Sequence, residues 1–123
     1  MLELTPCTEH DITPFKRDMI RSGLVFGSST ELFKATDNGI MVGACGIAWY
    51  KTHAKFKDDY VLPEFRGMGY FKDMMSLRIQ MVKNHGLRTV KATCTAPALP
   101  YWLRLGAVVT KEYSKYTSVR LEL

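Results

Sequence analysis

The chain has 123 residues, 46% apolar and 24% charged, with a net charge of +5 and an isoelectric point of about 9.2. These values fit one globular domain over residues 1–123 with a single core, and they exclude a mainly disordered chain. No apolar run approaches the roughly 18 residues of a membrane span, and the positive excess suits an anionic cofactor, an acidic acceptor or a nucleic acid.

Leu2-Glu3-Leu4 alternates as a short first strand. Thr8 is placed as an N-cap with Asp11 three residues on, opening a helix to about Arg21 or Ser22. Ile12, Phe15, Met19 and Ile20 recur on it at helical spacing, Pro14 falls in its first turn, and Gly23 stops it. After the loop Gly27-Ser28-Ser29, a strand over Glu31–Ala35 meets the hairpin signal Asp37-Asn38-Gly39. The return strand is Ile40–Tyr50, Lys51-Thr52-His53 turns the chain, and a further strand reaches Val61 or Leu62, where Pro63 ends it.

A long helix over Met68–His85 follows, with Phe71, Met74, Met75, Arg78, Ile79, Met81 and Val82 on a broad packing surface and Gly86 closing it. Thr89–Thr95 alternates as a strand, Ala98–Leu105 forms a short helix ended by Gly106, and Val108–Tyr113 and Thr117–Leu123 pair last. The order gives an α/β (α+β) mixed sheet of about six to seven strands, mostly antiparallel, with helices on both faces. The strands on either side of the Met68 helix, fourth and fifth, form a parallel pair through a right-handed crossover.

The stretch Val61-Leu62-Pro63-Glu64-Phe65-Arg66-Gly67-Met68-Gly69-Tyr70-Phe71 carries the clearest chemistry. A strand stops at proline, a loop with an arginine and two glycines follows, and a helix begins at once. Helix-start N–H groups lack internal partners and the dipole adds positive charge there. Glycine admits a phosphate close to the backbone, and Arg66 adds a fixed cation. The arrangement reads as a diphosphate site.

These residues resemble the pyrophosphate loop of the GNAT (GCN5-related) N-acetyltransferases, Arg/Gln-x-x-Gly-x-Gly/Ala preceded by Val-x-Pro-Glu-Tyr. Val61, Pro63, Glu64, Arg66, Gly67 and Gly69 match; Phe65 replaces the tyrosine, and Phe71 stands where a small residue is usual and is expected to crowd the first helical turn. A second likeness covers Thr95 to Ala107. There Ala98 and Gly106 fit, Thr95 replaces an asparagine, and Trp102 takes the place of a tyrosine that commonly protonates the departing thiolate, with Tyr101 one residue earlier. Tryptophan cannot serve as that acid.

The resemblance implies a GNAT-like fold and an acyl-CoA-dependent N-acyltransferase using acetyl-CoA. Val61, Leu62, Arg66, Gly67, Met68, Gly69, Tyr70 and Phe71 would hold the coenzyme A, and the acceptor would be an amine on a small molecule or protein. Two alternatives stay open: a binding or regulatory module that has lost the chemistry, and an acceptor amine linked to nucleic acid. The resemblance also allows pairing of two copies through the C-terminal strands.

Direct transfer needs a base for the amine proton. Asp58, Asp59, Glu64 and His53 are the candidates. Asp58 and Asp59 are strand neighbours, so one is expected to face the cleft and the other solvent; Asp59 is preferred because it shares a face with Val61. Tyr101 is the candidate acid. His10 and His85 read as structural, and three widely spaced cysteines with no partner spacing point away from a disulfide framework or a metal site. A reducing cytoplasm is the expected compartment. The N-terminal residues lack a basic segment followed by an apolar run, so no secretion signal is expected.

Overall fold

The computed structural model describes every residue except Val25 and Ser28, so part of the loop expected at 27–29 lies outside the described residues. Among the described residues seven strands form one sheet in the order β1-β2-β3-β4-β5-β7-β6. They are β1 (Leu2–Cys7), β2 (Thr30–Asp37), β3 (Ile40–Trp49), β4 (Ala54–Val61), β5 (Thr89–Cys94), β6 (Val108–Glu112) and β7 (Thr117–Glu122). Among the described residues three α-helices pack on it: α1 (Thr13–Arg21), α2 (Tyr70–Asn84) and α3 (Leu99–Arg104). All neighbouring strands are antiparallel except β4 and β5. Among the described residues no helix is long and apolar enough to cross a membrane.

Each helix buries the stripe its spacing defines. Met74, Met75 and Val82 of α2 and Trp102 of α3 join Phe33, Phe56, Val90, Ala92 and Val119 in the larger core. Phe15 and Met19 of α1, with Ile12 just before it, meet Leu32, Ala44 and Tyr60 on the opposite face. β3 lies under both layers, so Val42–Ala48 is buried on alternate and intervening residues alike. The Asp37-Asn38-Gly39 turn forms as expected, with Asn38 and Gly39 at φ 50° and 82°.

Several boundaries move. Thr8 does not cap α1: Asp11 accepts bonds from the Thr8 N–H (2.8 Å) and hydroxyl (3.2 Å), closing a turn of its own, and the helix starts at Thr13. β1 runs on through Pro6, which an outer strand tolerates because one side of its ladder is unpaired. The long helix starts at Tyr70 rather than Met68, because Gly67 and Gly69 take φ of 79° and 87°.

Candidate active site

β4 and β5 pair through only three rungs, Ala54–Val90, Lys55–Lys91 and Phe56–Ala92. Beyond Phe56 the two strands part while β4 continues to Val61. The opening is a cavity of about 620 Å³ walled by the end of β4, the loop before α2, the end of β5 and α3. A volume of that size suits a small molecule.

At one end lies the start of α2. Its N-cap is Gly69, with no side chain capping the first N–H groups. A Cβ built on Gly67 or Gly69 would meet nothing within 4 Å, so glycine is needed here for the left-handed backbone and leaves an open face. Arg66 is exposed, lies 5.4 Å from the Tyr60 ring centre, and donates from Nε to the Val61 carbonyl at 2.8 Å. Nη1 and Nη2 make no hydrogen bond among the described residues, so the outer edge of the guanidinium is available beside the uncapped helix.

Val61, Arg66, Gly67, Gly69, Tyr70 and Phe71 all line the cavity. Leu62 instead packs against the α1 cluster on the opposite face, and Met68 is 60% exposed outside the lining. Tyr70 turns its hydroxyl to Asp37 at 2.7 Å. Phe71 does not crowd the helical turn: its ring meets Tyr101 edge-on at 5.4 Å and forms part of the wall. Tyr101 is 38% exposed at the mouth, while Trp102 is 2% exposed, packed at 5.8 Å on Phe56.

The carboxylates depart from simple strand alternation. Gly46 pairs with Lys57 and Ala44 with Tyr60, so Asp58 and Asp59 together face Cys45 alone. This is a β-bulge, and Asp58 takes φ 59°, a sparsely populated conformation for a residue with a side chain. Neither aspartate points to solvent, contrary to the expected split, because the bulge resets the alternation and both line the cavity. Asp59 does share the α2 face with Val61, but both its oxygens are bound by Arg78, each at 2.7 Å.

Arg78 is wholly buried, donates also to the Gly46 carbonyl at 3.1 Å, and lies 4.3 Å from the Phe56 ring centre. From its spacing alone Arg78 belongs to the packing surface; an arginine amid the apolar stripe, after two adjacent aspartates, is the sequence sign of a buried partner. Asp58 is 4% exposed, and its Oδ2 has no hydrogen-bond partner among the described residues. Burial raises its pKa to about 6; Lys57 and Arg78 oppose the rise and Asp59 adds to it. A carboxylate so placed is desolvated, unpartnered on one oxygen and able to take up a proton near neutrality. Glu64 lies exposed in the 3₁₀ turn Pro63–Phe65, and His53 sits in a second cavity, so neither lines the cleft.

No curated protein sequence matches the chain. Among solved structures, a GNAT family acetyltransferase from Elizabethkingia anophelis with acetyl-CoA bound superposes with a TM-score of 0.74 at 16% identity, covering 99% of this chain and 98% of that one. The ribosomal-protein-S18-alanine N-acetyltransferase of Escherichia coli gives 0.75 at 14% identity over 100% and 93%. The Campylobacter jejuni N-acetyltransferase PseH gives 0.74 at 14% over 98% and 97%. Identities this low establish a shared fold. Residues 3–107 match the model of the acetyltransferase (GNAT) family, and that span carries both the split β4–β5 pair and the glycine loop, so the chain belongs to the GNAT acetyltransferase family.

Proposed function

We propose that this domain transfers an acetyl group from acetyl-CoA to an amine of a small-molecule or protein acceptor by direct attack. One observation carries the reading: a desolvated carboxylate, Asp58, is set by a bulge into the same cleft that begins at an uncapped, glycine-lined helix start. The residues present fit the coenzyme. Left-handed Gly67 and Gly69 leave open space, the first α2 N–H groups are uncapped, and Arg66 adds a cation. The backbone from Gly67 to Phe71 would hold the pyrophosphate and the unpaired edge of β4 near Val61 the pantetheine arm. Leu62 and Met68 would contribute through backbone only. Bound acetyl-CoA supplies the thioester carbonyl as electrophile.

The chain's own groups do the rest. Asp58 accepts the proton from the acceptor ammonium, leaving a neutral amine to form the new C–N bond. Backbone N–H groups on the free β4 edge polarise the carbonyl. As the C–S bond breaks, the new amide nitrogen releases its surplus proton to solvent, and the Tyr101 hydroxyl, at the mouth, gives its proton to the thiolate sulfur and recovers one from solvent. Asp59, clamped by Arg78, holds the bulge and thereby positions Asp58.

Calorimetric titration with acetyl-CoA tests the foundation. Micromolar binding is expected for the wild type, weakened at least ~30-fold in Arg66→Glu, where a cation beside the phosphates becomes an anion. A well-folded wild type that binds neither acetyl-CoA nor CoA would leave only a scaffold. Tyr101→Phe is expected to lower kcat by about 10-fold to 100-fold, at the low end of general-acid effects because solvent reaches this exposed position. An unchanged kcat would assign thiolate protonation to water.

A further inference from the structure

A second cavity, of about 490 Å³, opens on the sheet face opposite α2, and Ala92 and Thr93 line both it and the first. Three cations stand in one row there. Lys55 of β4 is the cross-strand partner of Lys91 of β5, and Lys91 is the partner of Arg120 of β7. Lys91 lies between buried Val90 and Ala92, and Arg120 between buried Val119 and Leu121, so both side chains must leave by the open face. The helix α1 cluster reaches Leu32, Ala44 and Tyr60 but not this half of the sheet.

Like charges on directly opposed residues of adjacent strands destabilise a sheet. No carboxylate lines this cavity among the described residues. Glu122, two residues along β7 on the same face, meets Arg120 Nε at 3.3 Å and accepts from Thr89, so it offsets part of the Arg120 charge, while Lys55 and Lys91 have no carboxylate partner among the described residues. Hydroxyls complete the lining, from Thr93, Thr110 and Ser118. His53 stands at the edge, its ring stacked on Tyr50 at 4.7 Å and its Nδ1 3.0 Å from the Thr52 hydroxyl. Burial, Lys91 and Lys55, in that order, lower its pKa, which marks a positive field from groups facing it across two strands.

We propose that Lys55, Lys91 and Arg120 form an oxyanion site for a phosphate-type dianion. Because the two cavities adjoin at Ala92 and Thr93, this site would hold an anionic group of the acceptor while its amine lies at Asp58, a role that rests on the function proposed above. Three cations converging in one cavity with hydroxyl donors suit a single dianionic group. Nucleic-acid tracking requires an extended groove with aromatic platforms.

The test uses inorganic phosphate and no thioester, so its failure is separate from failure of the acetyl-CoA titration. His53 and the amides of Lys55, Lys91 and Arg120 are followed by NMR at fixed ionic strength. Phosphate is expected to shift all four and to raise the His53 pKa by roughly half a unit or more, as a nearby anion favours the charged ring. Lys91→Gln should weaken phosphate binding about 5–10-fold and, by relieving repulsion in the row, raise the urea midpoint in phosphate-free buffer. The His53 response should persist in Arg66→Glu. Equal shifts in chloride, no response at tens of millimolar phosphate, or loss of the response in Arg66→Glu would each overturn the site. So would an oligouridylate bound ~100-fold more tightly than phosphate with a steep salt slope, which would make the face a nucleic-acid surface.

Discussion

Replacing Asp58 with asparagine should lower kcat/KM for amine acetylation by about 10²–10⁴-fold, the usual reach of a positioned base, while acetyl-CoA binding stays intact. The wild-type kcat/KM should climb through pH about 6, where Asp58 ionises, and the variant should lose that limb. The limb is distinct from the higher one set by the acceptor amine itself.

Stability should move the opposite way with pH. The folded-state pKa of Asp58 lies above its ordinary value of 3.8, so between about 4 and 6 the folded chain binds more protons than the unfolded one. The Asp58 contribution to stability is therefore full at low pH, falls as pH rises through that window, and stays lost above it. Asparagine does not titrate, so the difference between variant and wild type in urea midpoint should shift in favour of the variant from pH 4 to pH 7.5. Retention of the pH 6 limb by Asp58→Asn would remove Asp58 from the proton path.

How much of this the sequence disclosed depends on the range of the interaction. The glycine loop was readable because its chemistry is local: Arg66, Gly67 and Gly69 act through backbone conformation and a helix end set within a few residues. The element order was readable for the same reason, with Asp37-Asn38-Gly39 and Gly86 fixing turns by their own φ preferences. The carboxylates were not. Strand alternation put Asp58 and Asp59 on opposite faces, but the bulge depends on how β4 meets β3, where a Cβ on Gly43 would come within 2.1 Å of the Tyr60 carbonyl. That close approach, between residues 43 and 60, follows from strand pairing distant in sequence and leaves no periodic trace. The Asp59 partner, Arg78, lies on another element altogether, and only burial shows that its charge needs an answer.

Arg78→Met should therefore be the most damaging single substitution in the fold. Methionine fills much of the volume but leaves the half-buried Asp59 carboxylate without its fork and the Gly46 carbonyl without its donor. Breaking one side of a buried pair costs about 3 kcal/mol or more, against a total stability of roughly 5–15 kcal/mol. For a domain of this size that corresponds to a melting temperature lower by about 10–15 °C. Arg78→Met/Asp59→Leu should regain most of the loss, since an apolar pair needs no counter-charge. It should not regain kcat, because the clamp that fixes the bulge, and with it Asp58, is gone. Calorimetry and acetylation kinetics on the two variants separate these roles. Recovery of both stability and kcat in the double variant would reduce the ion pair to core filling, and an unchanged melting temperature in Arg78→Met would mean that Asp59 does not depend on it. Stability restored without turnover is the outcome that the geometry requires: apolar packing can replace the energy of Arg78 and Asp59, but it cannot dictate where the neighbouring carboxylate stands.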